Sequence, residues 1–120
     1  MAKDDSLHRF RAYQKACELF DLVVADMSSL ARNPLCGRLV SQQVASADSI
    51  SSNIEKGYGR RSRPDYSRFL VIARGSAAET RGRYEKRFKH WLAQDVIAAR
   101  VDLCEEIVAT LGATIRTLRE

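Results

Sequence analysis

Between residues 95 and 119 the apolar side chains recur at alternating intervals of four and three: Ile97, Val101, Cys104, Val108, Leu111, Ile115 and Leu118. A repeat of that period puts one stripe of a helix against neighbouring helices and leaves the remainder to solvent. No segment alternates with the period of two that a half-buried strand requires, and no sequence unit repeats. The chain is therefore constrained to pack helix on helix.

Three more helical segments follow from the same reasoning. From Ser6, a candidate N-cap, to about Arg32, the residues Phe10, Tyr13, Cys17, Phe20, Val24, Met27 and Ala31 step by threes and fours, and Ala16, Leu19, Val23 and Leu30 widen the stripe. Asn33-Pro34 ends this helix, because proline disfavours helical geometry in the residue before it and has no N–H to donate. The second helix, about 38–57, has Val40, Val44, Ala47, Ser51, Ile54 and Tyr58 in register. Gly57 and Gly59 predict a turn of left-handed backbone.

Ser62 is placed to cap a third helix, about 64–92, with Pro64 in its first turn and Asp65 where a capping box would have its acid. Its apolar face uses Tyr66, Phe69 or Leu70, Ala73, Ala77, Thr80, Tyr84, Phe88 and Trp91. Gly75, Ser76, Ala77 and Ala78 predict close approach of a neighbouring helix. Asp95 is the expected cap of the fourth helix, about 95–119. Four helices joined by short turns predict an all-α fold, an antiparallel up-down-up-down four-helix bundle forming a single domain over residues 1–120.

The second helix is unusually polar. Gln42, Ser49 and Asn53 are spaced by seven and four and so share a face, beside Ile50 and Ile54. That face either meets solvent or forms a hydrogen-bonded layer between helices. The layer is the favoured expectation, and it must be well bonded, since a buried amide without partners costs about 1–3 kcal/mol.

Charge is concentrated in one element. Residues 60–90 hold ten Lys or Arg against three Asp or Glu, a net of +7, within a chain whose total is +5. Arg60, Arg61, Arg63, Arg68, Arg81, Arg83, Arg87 and Lys89 are the candidate phosphate contacts, with Arg74 and Lys86 completing the cluster, and RNA or DNA is the expected ligand. The competing reading is a solvated face neutralised by acids on the fourth helix, by another subunit or by an acidic protein partner.

Other chemistry finds little support in the residues. His8 and His90 belong to no ligand motif, and the acidic Asp102, Glu105 and Glu106 lack the Glu-x-x-His pairs of carboxylate metal bundles. The expectation is no metal, no cofactor and no catalytic residues. Cys17 has no motif that supplies a base, and Cys17, Cys36 and Cys104 are too few and too dispersed for a disulfide framework. Cys17 and Cys104 fall on apolar faces, whereas Cys36 is expected to be more exposed. No apolar run approaches the roughly 20 residues of a membrane span, and the N-terminus has no apolar signal segment, so no membrane association and a cytoplasmic location are expected.

The stretch SISSNIEKGYGR, followed by FLVIARGSAAE, resembles the signature of the 23S rRNA-intervening-sequence proteins. The matching positions are Gln42, Ser49, Ile50, Asn53, Ile54, Gly57, Gly59, Arg60, Phe69, Leu70, Ile72, Ala73, Gly75, Ser76 and Glu79. The resemblance implies an all-helical protomer that assembles as a homopentamer, without an enzymatic activity. It also implies kinship with the basic accessory bundles of diversity-generating retroelements, which bind nucleic acid and a reverse transcriptase. Gln42, Ser49, Asn53 and Glu79 would then be the polar layer holding the second and third helices in register. The chain departs from the family pattern at Val44-Ala45, where an arginine pair is common, and at Glu55-Lys56, where Ala-Glu is common. The first difference removes charge from the second helix, and the second moves or reverses a carboxylate, so a salt bridge to Arg60 is not carried over from the family pattern.

Overall fold

A computed structural model describes the backbone over residues 3–120 and side chains from Ser6 onward. Its order is α1 (Lys3–Arg9), α2 (Arg11–Ser28), α3 (Gly37–Tyr58), α4 (Arg63–Lys86), a short 3-10 turn (Phe88–His90) and α5 (Gln94–Arg119). The four long helices run up, down, up and down. α4 packs most heavily on α3 and α5, and α2 closes the bundle against the same two helices, which leaves α2 and α4 diagonal. Ala16, Leu19, Val23, Ile50, Ile54, Leu70, Ala77, Tyr84, Ile107 and Leu111 lie in the core with no exposed surface.

The expected first helix is two. Its break falls at Phe10, whose backbone is extended (φ −69°, ψ 117°), and Ser6 sits inside α1 instead of capping it. The Gln14 side chain bridges the break by donating to the carbonyl of His8 at 2.8 Å. The bend lets Leu7 and Phe10 both reach the core. α2 ends at Ser28, before the expected limit, and a tight turn follows in which Asn33 Oδ1 accepts the Leu35 N–H at 2.9 Å. That turn rolls Leu35 out, 77% exposed, and buries Cys36 completely, reversing the expectation for this cysteine.

In the second turn Gly57 acts by size, and neither it nor Gly59 by handedness. Among the described residues no glycine has positive φ, and Gly57 lies inside the last turn of α3. A Cβ there would stand 3.0 Å from Phe69 Cβ and 3.0 Å from Tyr66 Cδ1, so bare backbone is what allows α3 and α4 to meet. Gly75 does the opposite of what the sequence suggests. It is exposed, and nothing lies within 4 Å of its missing side chain.

α4 starts as expected, the Ser62 hydroxyl accepting the Asp65 N–H at 3.2 Å with Pro64 in the first turn. It stops at Lys86, well before residue 92. Tighter winding over 88–90 turns Phe88 into the core against Tyr84, with ring centroids 5.9 Å apart, and brings Trp91 over the bundle end. α5 begins one residue before Asp95, which lies in the first turn with Ala93 at the cap.

Candidate nucleic-acid interface

The α3–α4 seam is polar because the buried stripe of α3 runs through Gln43, Ala47, Ile50, Ile54 and Gly57. This is one residue away from the register centred on Val40, Val44, Ser51 and Tyr58. The rotation takes Gln43 into the core with no exposed surface and turns Gln42 to solvent. Gln43 Nε2 donates to the Thr80 carbonyl at 2.9 Å, and the Ser46 and Thr80 hydroxyls are 2.8 Å apart. Arg83 reaches in from the rim, its Nη1 donating to Ser46 Oγ at 2.9 Å and to Gln43 Oε1 at 3.3 Å.

One turn along α3, the Ser76 hydroxyl donates to Ser49 Oγ at 2.8 Å, while Asn53 Nδ2 bonds the Ser49 carbonyl (2.7 Å) and hydroxyl (2.9 Å). Of the four residues assigned to the layer, Ser49 and Asn53 thus lie in the seam. Gln42 and Glu79 are exposed along its rim. Gln43, Ser46, Ser76, Thr80 and Arg83 complete the network, and Gln43 could have been found only by phasing the stripe on Ala47, Ile50 and Ile54.

The cations divide between the two flanks of α4, because this helix lies between α3 and α5 and places charge toward both. On the α5 side, Arg63 Nη2 donates to the Thr117 carbonyl at 2.9 Å, and Arg81 makes ion pairs of 3.6 Å with Glu85 and Glu105. The first of these pairs is too long for a hydrogen bond, and the buried Arg81 Nε has no acceptor. On the α3 side, Arg83 enters the polar seam and Arg87 stands over a shallow depression shared with Leu39 and Gln42. At the head of the helix, Arg60 and Arg68 both lie over the Phe69 ring, 4.7 and 4.8 Å from its centroid, and Arg68 also pairs with Asp65 at 3.5 Å. Arg61, Arg87 and Lys89 are exposed and make no side-chain bond among the described residues.

Two further polar clusters tie the bundle. Asp26 on α2 accepts from Tyr84 Oη and from Arg100 Nε, each at 2.7 Å. Burial, and then the hydrogen bond to Asp26, push the Tyr84 phenol well above its ordinary value, while the bond to Asp26 holds the Arg100 guanidinium more firmly protonated. At the opposite end, Tyr13 Oη donates to Glu55 at 2.7 Å, which raises the phenol, and burial raises the nearby Cys17 thiol. A thiol shifted upward is a poor nucleophile. Among the described residues no group of three or more His, Cys, Asp or Glu is arranged to hold a metal ion, and no helix is long and apolar enough to cross a membrane.

A family model described as 23S rRNA-intervening sequence protein matches residues 8–113. The chain belongs to that family. Among solved structures, a protein of unknown function from the S23 ribosomal protein family of Bacteroides thetaiotaomicron superposes with a TM-score of 0.81 at 23% identity. The superposition covers 87% of this chain and 97% of that one, and at this identity it establishes a shared fold. No curated protein matches the chain.

In this chain the family-like motif has a local physical logic. Its Gly57 and Ser76 are used inside the α3–α4 contact, its Asn53 braces Ser49 on the same helix, and its Arg60 stacks on Phe69. These positions serve the packing of α3 on α4. The cations of residues 60–90 without protein partners lie mostly beyond the motif.

Proposed function

We propose that this protein is a non-enzymatic, cytoplasmic, homo-oligomeric accessory or scaffolding protein that associates with nucleic acid through cations on and around α4. The observation that supports it best is electrostatic: Arg61, Lys86, Arg87 and Lys89 are exposed and have no ion pair or hydrogen bond among the described residues. Uncompensated cations of this kind neutralise phosphates and release counterions, which supplies affinity without base recognition. Arg60, Arg63, Arg68, Arg81 and Arg83 would have to contact phosphate while keeping the protein bonds they already make. The pentameric state rests on the resemblance to the family, and the open surface around Gly75 and the half-exposed Ile72 (43%) leaves room for a neighbouring subunit on α4.

The test is binding of mixed-sequence RNA and DNA at low and moderate salt, with the mass of the assembly measured in parallel. Affinity is expected to fall steeply with salt and to drop further on charge reversal at Arg61, Arg87 and Lys89. No binding at low salt would remove the nucleic-acid reading. Co-purification of an acidic protein in place of nucleic acid would favour the other reading, a protein-interaction module whose basic face binds that protein or a neighbouring subunit.

A further inference from the structure

Gly112 is buried inside α5, about two turns before its end, although glycine is a poor helix residue. A side chain begun there would meet Arg116 Nη1 at 3.7 Å and Arg74 Nη1 at 3.9 Å. Two guanidinium groups, one from α4 and one from α5, therefore close over the same bare patch of backbone. Arg74 is half-buried, and neither arginine makes an ion pair or hydrogen bond among the described residues. Two cations brought together over a glycine, with no protein partner for either, leave their donors open to an anion from outside the chain.

We propose that Arg74 and Arg116 form a seat for one phosphate group of a nucleic-acid backbone, over Gly112. This rests on the nucleic-acid reading above. A tetrahedral oxyanion between the two forks accepts charge-assisted bonds of roughly 2.7–2.9 Å from both. A carboxylate is already satisfied by a single bidentate arginine, so a pair from separate helices suits phosphate better.

The surroundings single out this pair. Arg81, two turns further along α4, is taken up by Glu85 and Glu105, and Arg63 is bonded to the Thr117 carbonyl. Toward the end of α5, Arg119 and Arg68 line a depression between α4 and α5, and Arg68 is already paired with Asp65. Arg116 also lies in the last turn of α5, where a cation complements the helix dipole. A purely structural role of that kind would show in stability and not in binding.

The experiment is fluorescence anisotropy of a labelled, mixed-sequence single-stranded RNA titrated with the full chain over a series of salt concentrations. Arg74→Gln combined with Arg116→Gln is expected to weaken binding about tenfold and to flatten the dependence of log K on log salt by about one contact. Arg116→Gln alone, at an exposed position that should not disturb folding, is expected to weaken it about threefold, with thermal melts checking the fold of both variants. Inorganic phosphate replacing chloride at constant ionic strength should displace RNA from the unaltered protein more readily than from the double variant.

Unchanged binding by well-folded variants overturns the seat while leaving the nucleic-acid reading in place. Failure of the unaltered protein to bind RNA or DNA at low salt removes both. Tighter binding of labelled polyglutamate than of RNA, lost in the same variants, overturns the phosphate assignment in favour of an acidic protein partner.

Discussion

Arg100 on α5 closes on Asp26 of α2 with Nε to Oδ2 at 2.7 Å and Nη2 to Oδ1 at 3.1 Å, a two-pronged pair with the side chains only 17% and 10% exposed. Tyr84 of α4 adds a third bond to the same carboxylate, so one acid joins three helices across the bundle. Charge pairs this sheltered are costly to break from one side, because the surviving partner is left desolvated and unpaired.

Asp26→Ala is therefore expected to destabilise the fold by about 3–5 kcal/mol, the range for removing one partner of a buried pair. Arg100→Met combined with Asp26→Leu should cost clearly less than Asp26→Ala, since no charge is stranded. Urea denaturation of the variants decides it, and equal losses would show that the pair is not sheltered.

Gly57 and Gly75, two of the three glycines of the family-like motif, should respond in opposite directions. Gly57→Ala forces a methyl against Phe69 Cβ and Tyr66 Cδ1, both at 3.0 Å, and overpacking of this kind costs about 1–3 kcal/mol. Gly75→Ala has open space to fill on an exposed helix and should stabilise by about 1 kcal/mol through helix propensity. If Gly75→Ala instead dissociated an oligomer, as measured by light scattering, the open face would be identified as a subunit contact.

Within the polar seam, Gln43 should matter more than Asn53. Gln43 bonds across to the Thr80 carbonyl and receives Arg83, whereas Asn53 bonds only to Ser49 one turn back on its own helix. Gln43→Leu removes the bond across to Thr80 and one acceptor of Arg83 inside the seam and is expected to cost about 1–3 kcal/mol, with Asn53→Leu costing less. Chemical denaturation ranks the two, and the reverse order would mean that the bonds across the seam contribute little.

Alkaline pH should weaken the fold through groups whose folded values are raised. Tyr84 ionises near pH 10.0 when unfolded but above that when folded, so its contribution is complete below pH 10.0 and is lost as pH rises beyond it. Each such proton steepens the loss by about 1.4 kcal/mol per pH unit. Cys104, pushed up to about 12 by burial from 9.0, acts in the same sense from pH 9.0 upward. Tyr84→Phe should flatten the fall in stability above pH 10.0, and an unchanged slope would exclude Tyr84 as its source.

The bundle was legible because four apolar stripes of helical period leave few alternatives for 120 residues without strand patterning. The polar seam was legible as a class of feature, while its members depended on a rotation of α3 by one residue. The expected stripe combined Ala47 and Ile54 with Val40, Val44, Ser51 and Tyr58, whereas the buried one combines them with Gln43, Ile50 and Gly57. A small shift of helix phase changes which of two adjacent glutamines is buried, and periodicity alone cannot resolve it when the face is this polar. Asp26, Tyr84 and Arg100 were not anticipated together because they lie on three different helices.

The sequence by itself determined the number of long helices, the cap at Ser62, the concentration of positive charge in residues 60–90 and, through the motif from Ser49 to Glu79, the family. Only the tertiary structure decided how that charge is used. With α4 set between α3 and α5, Arg63 and Arg81 meet acceptors on one side, Arg83 meets the seam on the other, and Arg74 converges with the sequence-distant Arg116 over Gly112. Composition counts charges, but the distance to the nearest partner sets what each charge can bind, and that distance exists only once the helices are packed.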